Sequence, residues 1–386
     1  MKRKIQWSKR MGRILFGILM VVMVCTLLIN LLVPDRDRSA VENRPLQHFP
    51  RFSVSAMADG TYGKDWDKWF TDQFVFRDRF MNAGYIIKRM QGFREINDVY
   101  IGKGRLIQKS EPYDQTIVQK NLDAISTFAQ HTGLPTYTLI APTAAVIDTN
   151  ALPSHAEGTR MDPLFDQMDQ ALDGKASVID VRKAFSDHKK EDLFYKTDHH
   201  WTSLGAFYGF ESFAQAAGIE MSLKDFERMQ ISNSFQGTLA SRTGDPFLKD
   251  AIDIYVHEPM PDYVMTRDGK DASRTMYNEK ALDQKDQYQV FTGANTGVIQ
   301  IETTGDSDRR LIVFKDSYAN AMIQFLIPYY RTITIVDPRY YYDDLNVLLR
   351  TDLPTEALFL YNYDNFVSDS NLEAVMGVFS DNMNEG

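Results

Sequence analysis

Cysteine is almost missing from this chain: its 386 residues contain one, Cys25, set inside an apolar run near the N-terminus. Everything after that run lacks thiols. Disulfides, thiol nucleophiles and Cys-ligated zinc are therefore excluded there. About 350 residues can bury a core that needs no such staples. Acidic residues are also missing from one place, since none precedes Asp35. Lys2, Arg3, Lys4, Lys9, Arg10 and Arg13 stand there unopposed. With those six of the 43 basic residues set aside, 37 face 52 acidic ones, and the rest of the chain carries about −15. Such a surface is a poor partner for nucleic acid or anionic lipid, and nucleic acid is not expected to bind. It suits a neutral or cationic substrate.

What is present begins with the apolar run, residues 14–33, interrupted only by Gly17, Thr26 and Asn30 and free of charge. At a helical rise its 20 residues reach about 30 Å, the thickness of a hydrocarbon core. With the cations in front, the positive-inside rule keeps the N-terminus in the cytoplasm and sends the remainder across. A cleavable signal peptide also starts with positive charge, but its apolar stretch is shorter and ends in a small-x-small site. This run passes instead into Leu32-Val33-Pro34-Asp35, so a retained single span is expected, with an extracytoplasmic body in either case.

Four segments are therefore expected: a basic cytoplasmic segment 1–13, the anchor 14–33, an extended connector 34–60, and a body 61–386. Residues 62–90 place Trp66, Trp69, Phe70, Phe74, Phe80, Ile86 and Ile87 at helical spacing, predicting one long helix or two short ones whose aromatic stripe is a packing face. The runs 99–102 and 105–107 flank a Gly-containing turn and predict a hairpin. Helices near 115–132, 163–173, 319–330 and 343–348 then alternate with short apolar strands at 136–141, 177–180, 310–314, 332–336 and 357–361. The strand runs are continuous rather than alternating, as in strands covered on both faces. That order predicts an α/β fold with a mainly parallel sheet. Residues 226–305 are less regular and rich in Asp, Gly and Thr, and are expected to form an insertion with β structure.

Two segments carry chemistry. In Tyr195-Lys196-Thr197-Asp198-His199-His200-Trp201-Thr202, two of the seven histidines and one of four tryptophans sit beside an acid. In Val313-Phe314-Lys315-Asp316-Ser317-Tyr318-Ala319-Asn320, a buried strand gives way to a helix. α/β folds place their sites at such strand ends, and the free N–H groups there can hold an oxyanion. Serine at that junction is equally an ordinary helix cap. A serine hydroxyl needs a base to remove its proton, and a histidine base needs a carboxylate to fix its tautomer. If residues 198–200 are extended, Asp198 and His200 face one side and His199 the other. Three readings remain open from the residues alone: an acyl-transfer triad of Ser317, His200 and Asp198, a structural polar cluster, or a metal site. The last is disfavoured because adjacent histidines diverge in a strand, so no metal is expected.

Asp198-His199-His200-Trp201 resembles the signature of the DHHW protein family. The likeness extends through Glu42-Asn43-Arg44-Pro45-Leu46, Trp69-Phe70, Asp72-Gln73-Phe74, Ile101-Gly102-Lys103, Phe235-Gln236-Gly237-Thr238-Leu239, Lys315 to Asn320, and Asp337-Pro338-Arg339-Tyr340-Tyr341. That family is similar to the SGNH-like proteins of alginate O-acetylation. The resemblance implies an SGNH-like three-layer α/β/α catalytic domain at 61–386 with the insertion at 226–305, and the triad in the permuted order acid, base, serine. It further implies an anchored extracytoplasmic O-acetyltransferase that passes acetyl groups through Ser317 to an exported polysaccharide, without cofactor. A single span cannot bring acetyl across a membrane, so a multi-span membrane O-acyltransferase is the expected partner. An esterase using the same triad, or a non-catalytic glycan-binding subunit of an acetylation complex, are the other readings. Beyond the triad, Asn320 is a candidate oxyanion donor, Arg339 a candidate substrate contact, and Trp201 a candidate sugar platform.

Overall fold

The structure, a computed structural model, describes residues 2–39 and 44–383; Glu42 and Asn43 of the opening motif lie outside the described residues. The chain divides into two compact units: Met1–Gly92 with Gly244–Pro246, and Phe93–Thr243 with Phe247–Gly386.

In the first unit, helix Lys2–Leu32 contains the apolar stretch Arg10–Asn30, a candidate membrane span or signal sequence. The stretch 62–90 is two helices, Thr61–Gln73 and Arg77–Met90. Phe76, at a left-handed φ of 61°, breaks the run between them. Only part of the expected packing face forms: the Trp66 ring lies 5.4 Å from that of Trp69 and 6.1 Å from that of Phe70, whereas Phe80, Ile86 and Ile87 are exposed. Buried Asp72 gathers the segment that precedes these helices, accepting a forked pair from Arg44 (2.9 and 2.5 Å) and the amide of Gln47 at 2.9 Å. The bond from Arg44 outweighs burial and holds that carboxyl below its ordinary value.

The second unit is a mixed α/β fold on an eight-stranded sheet. Its strand order is Ser177–Ile179, Thr136–Ala141, Glu356–Asn362, Arg310–Lys315, Thr332–Val336, Val298–Thr303, Tyr263–Arg267, Asp271–Ser273. The first five strands are parallel and the last three add on antiparallel. The region 226–305 thus supplies the antiparallel edge of the sheet as well as a separate ribbon, Phe226–Phe235 paired with Asp250–His257. Alternation within the continuous runs feeds two cores. Leu139, Leu311, Val313 and Leu358 enter one, packed on helices Ser203–Ala216 and Ala319–Leu326. Ile140, Ile312, Phe314 and Phe359 enter the other, against Gln115–Thr132, Asp162–Leu172 and Asn371–Met383. Apolar residues on both pleats are what two covered faces require. The carboxyl end of Arg310–Lys315, central in the sheet, is where Ser317 emerges.

Candidate active site

Strand Arg310–Lys315 ends at a turn, residues 316–318, before helix Ala319–Leu326 begins. Asp316, 1% exposed, fixes that turn. Its carboxylate accepts the amide of Tyr318 (2.8 Å), the amide and side chain of Asn362 (2.8 and 2.6 Å) and the side chain of Asn365 (2.9 Å). The turn that carries Ser317 is thereby tied to the end of the neighbouring strand Glu356–Asn362. Burial raises the Asp316 carboxyl despite these donors. Ser317 is left half-buried, and the structure gives its backbone N–H no acceptor among the described residues.

The Asp198–Trp201 segment is not extended, so the condition under which His199 would point away is not met. The segment is a bend closed by a bridge between Phe194 and Trp201, with Tyr195 N–H donating to the His200 carbonyl at 3.2 Å. Asp250 accepts from the amides of Lys196 and Thr197 (both 2.8 Å) and from the Thr197 hydroxyl (2.5 Å). His199 consequently does not point away, and its ring centroid lies 3.9 Å from that of His200.

The bend brings acid, base and hydroxyl together across 117 residues of sequence. His200 Nδ1 lies 2.6 Å from Asp198 Oδ1, and His200 Nε2 lies 2.8 Å from Ser317 Oγ. The other Asp198 oxygen accepts the amide (2.7 Å) and hydroxyl (3.0 Å) of Thr238. Burial alone would raise the Asp198 carboxyl. The adjoining imidazoles, the His200 bond and the Thr238 amide outweigh it and hold the group well below the usual carboxylate range. An ionised Asp198 can only accept, so Nδ1 carries the proton and Nε2 offers its lone pair to the Ser317 hydroxyl.

Four further residues, missed in the sequence, complete the arrangement. Tyr288 lies flat on His200, with ring centroids 3.8 Å apart and planes 11° apart. Its hydroxyl donates to the Ser317 carbonyl at 3.1 Å, and burial holds the phenol well above its ordinary value, so it remains a donor. Gly237 passes so close that an added Cβ would lie 2.2 Å from Asp198 Oδ2 and 2.3 Å from its Cβ. Thr238 supplies the two donors to Asp198, and Asp250 anchors the bend. No local pattern marks Tyr288 or Asp250; Gly237 and Thr238 lie in one of the motifs, without a sign of their role.

Trp201 and Asn320 do not stand where their expected roles need them. Trp201 is 0% exposed: it packs on Phe185, and its indole N–H donates to the Tyr318 carbonyl at 2.8 Å. With no face open to solvent it cannot be a sugar platform; it braces the turn. Asn320 is 3% exposed, and its amide is turned to Lys315 (2.9 Å) and Asn295 (3.3 Å) rather than to the Ser317 hydroxyl. Arg339 forks onto Asp337 at 2.8 and 2.7 Å, an ion pair that outweighs burial and keeps the guanidinium charged. Asp198, His199 and His200 do place ligand-type atoms within 4.8 Å of one another. Asp198 already serves four donors, however, and both nitrogens of His200 are engaged. A metal bound by all three would have to break the contacts that join His200 to its neighbours.

One family model, that of the DHHW protein, matches residues 42–132 and 132–336. Among curated proteins none matches. A DHHW family protein from Eubacterium siraeum is 20% identical, over 72% of this chain and 98% of that one, with a TM-score of 0.56. Bacillus cereus PatB1, described with a sulfonyl adduct, is 20% identical over 69% of this chain and 95% of that one, with a TM-score of 0.59. The O-acetyltransferase domain of Pseudomonas putida AlgJ is 14% identical over 74% of this chain and 99% of that one, with a TM-score of 0.47.

Proposed function

The chain belongs to the DHHW protein family, and from that premise we propose that it is a membrane-anchored, extracytoplasmic O-acetyltransferase acting on an exported polysaccharide through Ser317, His200 and Asp198. The observation that carries the reading is the pair of bonds at His200: 2.6 Å to a carboxylate on one nitrogen and 2.8 Å to the Ser317 hydroxyl on the other. Nucleophile, base and orienter stand within bonding reach in the order that acyl transfer needs. The sheet, with helices on both faces and the serine at a strand end, supports an SGNH-like three-layer body. That PatB1 is described with a sulfonyl adduct agrees with a nucleophile in a related fold.

The steps follow from the geometry. Ser317 Oγ attacks the carbonyl carbon of an acetyl donor while His200 Nε2 takes the hydroxyl proton. The Ser317 N–H, which has no acceptor among the described residues, is the donor available to the tetrahedral oxyanion. Collapse expels the donor's leaving group, which takes the proton from His200, and acetyl-Ser317 remains. A sugar hydroxyl then attacks, His200 accepts its proton, and Ser317 recovers that proton as it departs. Ionised Asp198 stabilises the imidazolium in both halves. The donor reaches the outer side through a multi-span O-acyltransferase, because the single candidate span among the described residues offers no passage for acetyl.

The test is turnover of an activated acetyl ester by the full chain, with and without oligosaccharide acceptors. Acetylated sugar supports the transferase. Acetate alone supports an esterase with the same triad, and absence of turnover supports a non-catalytic glycan-binding subunit. Ser317→Ala is expected to lower the rate at least about a thousandfold with an unchanged melting temperature. Full turnover by that variant would remove Ser317 from its role.

A further inference from the structure

We propose that helix Arg77–Met90 is a second membrane contact, lying along the extracytoplasmic leaflet with its apolar face in the lipid. This inference rests on the anchor reading of helix Lys2–Leu32.

The first observation is an outward apolar stripe. Phe80, Ala83, Ile87 and Met90 follow one another by three, four and three residues, which keeps them on one face of the helix, and Phe76 stands at its N-cap. All five are exposed, Phe80 at 61% and Met90 at 83%. The opposite face supplies the buried Tyr85. The helix is thus amphipathic with its apolar side turned to the surroundings.

The second observation is where this unit places it. Asn30, near the end of helix Lys2–Leu32 and 5% exposed, accepts the amide of Val75 at 2.8 Å. The chain leaving the apolar helix is held to the same place. Trp69 donates to Asp35 at 2.9 Å, and Gln73 exchanges two bonds with the backbone of Arg36 at 2.9 and 3.0 Å. Asn30 is two residues from the helix end, about 3 Å along the axis. If that helix spans, the start of Arg77–Met90 stands at the boundary between acyl chains and headgroups.

Charge is the third observation, and it chooses lipid over a protein partner. Arg77, Arg79, Lys88 and Arg89 face one acid, Asp78, within the helix, whereas the chain beyond the anchor carries about −15. A basic, apolar helix in an otherwise acidic chain is matched to an anionic leaflet, with the exposed Arg79 and Lys88 long enough to reach the headgroups.

The test uses the full chain in nanodiscs of phosphatidylglycerol and phosphatidylethanolamine, with spin labels challenged by relaxation agents dissolved in lipid or in water. Cys25 itself reports the span. In Cys25→Ser chains, Phe80→Cys and Ile87→Cys report the helix, and Tyr342→Cys reports water, position 342 being 88% exposed. Labels at 25, 80 and 87 are expected to favour the lipid-borne agent several-fold over the label at 342, with the preference at 80 and 87 weakening in phosphatidylcholine discs. If 25 is in lipid while 80 and 87 match 342, the helix does not dock and the proposal is overturned while the anchor stands. If 25 also matches 342, the anchor reading has failed and takes this inference with it. Protection of 80 and 87 in native membranes but not in pure-lipid discs would assign the face to a protein and overturn the lipid proposal.

Discussion

At the scale of single residues, Tyr288 and His199 separate holding a base from being one. Tyr288 reaches both His200, by stacking, and the Ser317 carbonyl, by a hydrogen bond. Tyr288→Phe keeps the stack and loses one neutral bond, so kcat is expected to fall a few-fold to about tenfold with KM unchanged. Tyr288→Leu loses both and lets the imidazole shift, for which a loss of about a hundredfold is expected. Equal kcat in all three chains would deny Tyr288 a positioning role. His199 is depressed to about 4, first by burial and then by the charge of His200. A histidine lowered on folding gives stability that is complete above its unfolded value near 6.5 and is lost as pH falls toward 4. His199→Gln removes that proton uptake. Its melting temperature is expected to drop less than that of the parent between pH 7 and pH 4, and parallel curves would contradict this.

Elements carry these side chains, and here the sequence was readable in part. The strand runs were legible because burial on both faces requires uninterrupted apolar residues, which periodicity displays. Ser317 was legible because a strand-to-helix junction is local, and Asp198 with His200 because they are neighbours in sequence. What surrounds them was not. Tyr288 lies in an irregular 3-10 turn, Gln287–Val290, with no pattern of its own. The bend at 195–202 has no signal of its own because nothing local announces Asp250, whose three bonds fold it. Trp201 was misread for a similar reason: a tryptophan beside a polar pair looks like a binding face until packing buries it. Gly237, next to helix Thr238–Thr243, offers the sharpest test at this scale. Gly237→Ala drives a methyl into Asp198. The bend must move at a cost of about 1–3 kcal/mol, visible as a melting temperature lower by a few degrees. Turnover is expected to fall about a hundredfold. An alanine variant of full activity would show that Asp198 need not sit where it does.

For the whole molecule, the division of labour follows from composition: a charge-free helix behind a basic start, then a thiol-free acidic body that folds without disulfides. On the proposed topology the full chain is expected to stay with membranes through an alkaline carbonate wash. Protease added from outside should then remove the body and leave a short N-terminal fragment; release by the wash would contradict a retained span. The activity proposed for that body reduces to one covalent event, acylation of Ser317 by way of His200. The most direct measurement is peptide mass mapping after brief exposure of the full chain to an activated acetyl ester, beside His200→Ala and Ser317→Ala. A single acetyl group on Ser317 in the parent, nearly absent in both variants, is the expected result. An acetyl group elsewhere, or one on Ser317 that forms equally fast without His200, would contradict it.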